Sequence, residues 1–365
     1  MNGVIMAVMA VFLVLGGLDR IFGNRFGLGE EFENGINAIA PLALSMLGII
    51  CLAPVLAELL RPVIVPVFRL VGADPGMFPG CLLACDMGGA ALAVELAEDP
   101  QVGYFGGVVV GAMLGGTISF TIPASISMLR KEDQEFVAQG VLAGIVTIPF
   151  GALIGGLTAG MEVVQLLRNL LPVFLFSILI ALGLWKARNV MVKGFRIFGQ
   201  FIQIVITVGV VAAGLQQLTG IVVIPGMTPL ADGFRIVGEI SIVLAGAFPL
   251  VKAFTMVLRK PLMLLGHLMG MNEKAAAGMI ASLANSLPMF AVVKDMDDRG
   301  KVLNMAFAVS GAFVFGDHLG FTAGFAPEML TPMIVAKLTA GIFAVALAMV
   351  LTRKPLAEPK ETVIE

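Results

Sequence analysis

GADPGMFPGCLLACDMGGAALAVELAE, residues 72–98, and GMNEKAAAGMIASLANSLPMFAVV, residues 270–293, are apolar stretches of similar length, each interrupted near its middle by polar or glycine residues. Asp86 of the first falls against Asn285 of the second. The parallel continues downstream, with GGTISFT (115–121) against GDHLGFT (316–322) and VAQGVLAGI (137–145) against VAKLTAGI (335–342). Two copies of one helical unit that meet at polar breaks are how many membrane carriers set a solute site near the bilayer midplane. The expected fold is an all-α polytopic membrane protein of two inverted-topology helical repeats with short broken helices, about 11–13 membrane segments in all.

Composition fixes the class independently. Of 365 residues, 58% are hydrophobic and 13% charged, and the mean hydropathy is +0.99, outside the range of a water-soluble domain. The 44 glycines cluster inside apolar runs, where they let lipid-embedded helices approach closely. A net charge of −2 without basic runs argues against a nucleic-acid partner. Cys51, Cys81 and Cys85 lie in apolar segments and read as small packing residues, so no metal is expected. Residues 1–18 lack a positive n-region and a cleavage site and read as a retained helix.

The expected organisation is a first transmembrane repeat over 1–160, a linking transmembrane helix within 161–193, a second repeat over 194–351 and a disordered cytoplasmic tail over 352–365. Two apolar runs, 62–71 and 261–271, are too short to cross ~30 Å of hydrocarbon. Each follows a basic residue and opens on a proline, and both are expected to be broken elements at matching places. Lys and Arg gather on the cytoplasmic side, and that bias selects the topology. If 36–97 and 236–293 each cross an odd number of times, Arg61, Arg168, Arg235 and Lys274 fall on one side. Lys252 and Lys337 then stay in the membrane, and the rest of the 23 Lys and Arg, Arg69 among them, fall on the other. The N-terminus is then outside, the tail is cytoplasmic, and matched loops lie on opposite faces.

The candidate site is built from the polar residues inside these segments. Asp86, about midway along an apolar helix, would cost at least ~2.5 kcal/mol unpartnered, and Gly88 and Gly89 can open the helix beside it. Asp317 and His318 bring a carboxylate and an imidazole together between glycines, and Asn285 and Ser286 suit a hydroxyl. Lys337 is a mid-membrane cation whose counterpart is the neutral Gln139. It is expected to pair with Asp317 or Asp86 and, with Gln139, Gly88 and Gly89, to tune the site. No nucleophile–base constellation appears, so no enzyme activity and no cofactor are expected.

LLACDMGG (82–89), AQGVLAGIVTIPFG (138–151), MDDRGKVLNMAFAVSGAF (296–313) and FGDHLGF (315–321) resemble the EutH family, ethanolamine permeases of bacterial ethanolamine-utilisation operons. The resemblance covers residues 5 to 351. It implies uptake of ethanolamine across the bacterial inner membrane, either by alternating access or through a passive channel. Under that reading Asp86 and Asp317 receive the ammonium, Asn285 and Ser286 the hydroxyl, and His318 orients the substrate or couples protons. The partners are then ethanolamine and the lipid bilayer, with self-association into a homo-oligomer left open.

Overall fold

The computed structural model describes residues 2–352, and the expected tail lies outside the described residues from 353 onward. Every regular element among the described residues is helical, and eight helices are long and apolar enough to cross a bilayer. This is a multi-pass membrane protein, as its composition requires. α1 (Asn2–Ile21) leads through the short α2 (Leu28–Asn37) into α3 (Ile39–Leu70). The short α4 (Met77–Gly80) and α5 (Gly89–Leu96) follow, then α6 (Pro100–Met128), α7 (Gln134–Thr158) and α8 (Val163–Lys186). The second half comprises α9 (Arg188–Thr219), α10 (Leu230–Leu268), α11 (Glu273–Ser282), α12 (Ser286–Val292), α13 (Asp298–Gly311), α14 (Asp317–Phe325) and α15 (Leu330–Leu351).

The two runs expected to be separate broken elements are not separate. Residues 62–70 form the end of α3, and 261–268 the end of α10, with Pro54, Pro62 and Pro66 inside the first helix and Pro249 and Pro261 inside the second. A proline removes one helical N–H, but in hydrocarbon a helix remains the only way for a single segment to satisfy its other backbone groups. The breaks come later. Asp74 gathers the N–H groups of Gly76 (2.7 Å), Glu98 (3.1 Å) and Asp99 (2.8 Å), so the two ends of residues 74–99 lie side by side. Asp297 likewise accepts from Asn272 (2.8 Å) and Gly300 (3.1 Å), closing residues 272–297 on themselves. Each of these stretches is a hairpin that enters and leaves on one face. The first turns at Asp86, the second at Leu283–Asn285.

Cross-links between loops sort them into two faces. Gln101 donates to Ala159 O (3.0 Å), Gln165 to Asp99 Oδ2 (2.7 Å) and Asn2 to Glu328 O (3.0 Å). At the other end Lys301 pairs with Asp133 (2.8 Å), and Arg188 donates to Gln134 O. α7 and α15 run antiparallel, since Thr147 donates to Ala340 O (3.0 Å) and Gly155 packs on Pro332 O. The first hairpin therefore opens on the face of Glu328, and the second on the face of Asp133. Arg69 bonds Glu98 (2.9 Å) and so lies on the first face, while Lys274 follows Asn272 on the second. These two residues exchange sides relative to the sequence expectation, because a hairpin returns where a full crossing would not.

α6 is the central element, with 89% of its apolar window buried. Over Phe105–Gly115 and Thr117–Thr121 it is wound as a π-helix. The first hairpin lies on it backbone to backbone: a Cβ on Gly80 would sit 1.9 Å from Gly106 O, and one on Gly115 would sit 1.9 Å from Leu83 O.

The Asp74 clasp supports a direct prediction. Asp74→Ala removes the acceptor for half-buried and exposed backbone donors at both hairpin ends, at about 0.5–1.5 kcal/mol for each bond lost. A lower thermal midpoint of the purified protein, restored in Asp74→Asn only in part, is the expected outcome.

Candidate functional site

Both hairpin tips end in one cavity of about 360 Å³, at the small end of ligand sites. The first tip is a single 3₁₀ turn, Cys85–Met87, closed by Gly88 at φ 85°. That left-handed conformation favours glycine, and a Cβ there would also meet Ile49 at 2.4 Å. Asp86 is thus at the end of a hairpin and not midway along a helix, as the sequence had suggested. Its side chain is 19% exposed and lines the cavity. Ser119 fixes the turn from α6 by accepting the Ala84 N–H at 3.1 Å, and donates to Gly115 O at 2.8 Å.

Asn285 enters from the second tip. Its Oδ1 accepts the Leu287 N–H at 2.9 Å and caps α12, which leaves its amide N–H groups for the cavity. The unwound stretch between α13 and α14 docks on this tip, with Phe313 N–H donating to Ser282 O and Phe315 N–H to Leu283 O, both at 2.9 Å. Phe313 holds φ at 63°, a conformation costly for an aromatic residue and common at functional sites. The break delivers Asp317 and His318 to the cavity on the first turn of α14.

His318 Nε2 stands 3.9 Å from Asp86 Oδ1, too far for a direct hydrogen bond. His318 is 5% exposed, and its Nδ1 has no hydrogen-bond partner among the described residues. Asp317 forms no ion pair within 4 Å with a described residue. Phe313 stacks obliquely on His318 at 5.3 Å and meets Phe120 edge-on at 5.4 Å, and both phenylalanines line the cavity.

Lys337 also lines the cavity and is 1% exposed. The expected carboxylate partner is not there: its Nζ donates to Ala112 O at 2.6 Å. Ala112 lies in the π-wound stretch of α6. Two other expectations also differ. Gln139 is exposed on α7, away from the cavity, because its helix turn faces outward. Ser286 is fully buried behind the tip, its hydroxyl has no partner among the described residues, and it does not line the cavity. Gly89 stands where a Cβ would meet Ala84 O at 2.6 Å, so it tightens the turn that Gly88 closes.

Sequence reading missed Phe120, Phe313, Thr121 and Ser45, all of which line the cavity. Thr121 lay in a matched motif, but nothing in the order of residues reveals a left-handed Phe313. Cys85, Asp86 and His318 hold a thiol, a carboxylate and an imidazole within 4.8 Å of one another. Among the described residues this is the group whose donor types suit a divalent metal.

The cavity has polar and aromatic walls, with Asp86, Asp317, His318 and Lys337 as its ionisable groups. With both carboxylates ionised and Lys337 protonated it carries one net negative charge. The model of the family described as "Ethanolamine utilisation protein, EutH" matches residues 1–351. The chain belongs to the EutH family. A Listeria monocytogenes member named "Probable ethanolamine permease EutH" is 54% identical over 359 residues, 98% of this chain and 96% of that protein. A Bacillus subtilis protein, YxeR, described as uncharacterized, is 46% identical over 362 residues, 99% of this chain and 98% of its own. The Escherichia coli protein named "Probable ethanolamine permease EutH" is 44% identical over 402 aligned positions, 100% of this chain and 98% of its own. No solved structure matches this EutH-family chain.

Proposed function

We propose that this protein takes up ethanolamine across the bacterial inner membrane by alternating access between two inverted halves, residues 1–160 and 194–351, joined through 161–193. The observation that carries the reading is the convergence of both hairpin tips and the α13–α14 break on one cavity holding Asp86, Asp317, Asn285, His318 and Lys337. Ethanolamine at neutral pH is a primary ammonium with a hydroxyl two carbons away. Its single positive charge complements the single net negative charge that the cavity carries when both carboxylates are ionised and Lys337 is protonated.

In this reading Asp86 and Asp317 receive the ammonium. Phe120 and Phe313 flank it, each ring face adding about 0.5–2 kcal/mol. The hydroxyl bridges His318 and the free amide N–H groups of Asn285, the donors left over after capping. Ser286 contributes only if the second tip shifts, since its hydroxyl now faces away. The relatives' names supply the substrate, and the site chemistry fits it.

Inversion is supported by the two clasps. Asp74 closes one hairpin on the face of Asn2 and Glu328, and Asp297 closes its counterpart on the face of Lys301 and Asp133. The Lys/Arg bias assigns the face of Asn2 to the outside and that of Lys301 to the cytoplasm. Exchanging the positions of the two hairpins would open the cavity first to one side and then to the other.

Counterflow in proteoliposomes tests this. Vesicles preloaded with unlabelled ethanolamine are expected to take up labelled ethanolamine several times faster than empty ones, because a carrier returns faster when loaded. Equal rates would replace alternating access by a passive channel, and no flux at all would remove ethanolamine as the substrate.

A further inference from the structure

α9 is peripheral: only 28% of its apolar window is buried against the rest of the chain. One face packs on α3, where Gly48 meets Ile206 O and Gly209 meets Gly48 O. On a flanking face Arg196, Gln200, Gln203, Thr207, Val210 and Gly214 recur at spacings of four and three, a continuous stripe on a helix. Gln200, Gln203 and Thr207 are exposed and line a shallow groove.

Depth makes this stripe unusual. α9 spans 32 residues, and the part between Arg196 and Thr219 covers about 35 Å at 1.5 Å per residue, close to the hydrocarbon thickness. Gln203 then lies about 10 Å, and Thr207 about 16 Å, inside the level of Arg196. Thr207 is satisfied within its own helix, donating to Gln203 O at 2.8 Å. The two glutamine amides have no hydrogen-bond partner among the described residues, and lipid tails offer none.

We propose that this stripe is the interface of a homodimer, with α9 of one protomer against α9 of its partner about a two-fold axis along the membrane normal. A carboxamide is both donor and acceptor, so a glutamine facing its own copy is self-complementary, as an isologous contact requires. Two copies inserted with the same topology bring their α9 helices together in parallel, so Gln200 and Gln203 each meet their own counterparts. Gly214 lets the backbones approach farther along. Arg196 meets its like at the headgroup level, where lipid phosphates neutralise the pair. The proposal is independent of the transported solute.

Cysteine cross-linking tests it cleanly, because Cys51, Cys81 and Cys85 are all fully buried. Oxidation of membranes carrying Gln203→Cys is expected to give a covalent dimer, and Phe201→Cys, on the far side of α9, is expected to give none. The Gln200→Leu, Gln203→Leu pair should weaken dimerisation in nanodiscs by roughly tenfold or more while leaving uptake and thermal midpoint unchanged. A wild-type protein that is monomeric by mass in nanodiscs overturns the proposal. So does equal cross-linking at positions 201 and 203, or a Gln203→Cys adduct to a different membrane protein.

Discussion

Ethanolamine uptake in proteoliposomes is expected to fall by about 100-fold or more in Asp86→Asn, with the protein still folded and inserted. Removing one member of a desolvated charge pair costs about 2–5 kcal/mol, and 2.7 kcal/mol corresponds to a factor of about 100. Asn keeps the shape of the side chain and only its charge is lost. The hairpin should survive, because its geometry is held by Gly88, by the Ser119 bond to Ala84 and by the Asp74 clasp. Asp317→Asn should fall in the same direction, since it removes the second carboxylate assigned to the ammonium. Gln139→Leu, on the exposed face of α7, serves as the control that leaves transport unchanged. Wild-type uptake by Asp86→Asn at normal expression would take the carboxylate out of the site and, with it, the ammonium reading.

Much of the lining of this candidate site was visible in the order of residues, and the reasons are physical. A carboxylate such as Asp86 or Asp317 inside an apolar run is costly enough in lipid that it marks a site wherever the chain takes it. The glycines beside them announced a break, and the break is there. What the residues could not announce is direction. An apolar run of some twenty residues satisfies the same composition whether it crosses the bilayer or turns back on itself. The turn at Asp86 depends on long-range contacts: Ser119 on Ala84, and the Asp74 clasp reaching Glu98 and Asp99. The same blindness misplaced Arg69 and Lys274 and divided α3 and α10 at their prolines. Lys337 failed differently. A buried ammonium needs acceptors, and sequence offered only carboxylates, whereas the structure supplies the Ala112 carbonyl, a backbone group in the π-wound part of α6.

Gly115→Ala is expected to be among the most damaging single-methyl changes in the chain, although the same exchange inside an exposed helix would stabilise it by about 1 kcal/mol. The added carbon would lie 1.9 Å from Leu83 O and 2.9 Å from Gly80 O, both backbone atoms of the first hairpin. Neither can rotate aside as a flexible side chain would. Relief requires the hairpin to lift from α6, which breaks the Ser119 bond to Ala84 and carries Asp86, three residues from Leu83, out of register with Asp317 and His318. Overpacking of this kind costs about 1–3 kcal/mol and can exceed that where backbone must move. Thermal unfolding of the purified variant should therefore begin several degrees lower, and uptake should drop even where folded protein remains. Gly194→Ala, with nothing within 4 Å of its added carbon, should be neutral or mildly stabilising. If Gly115→Ala matched the parent in both midpoint and uptake, the first hairpin would not rest on α6 in the working protein, and Asp86 would have no fixed place opposite His318.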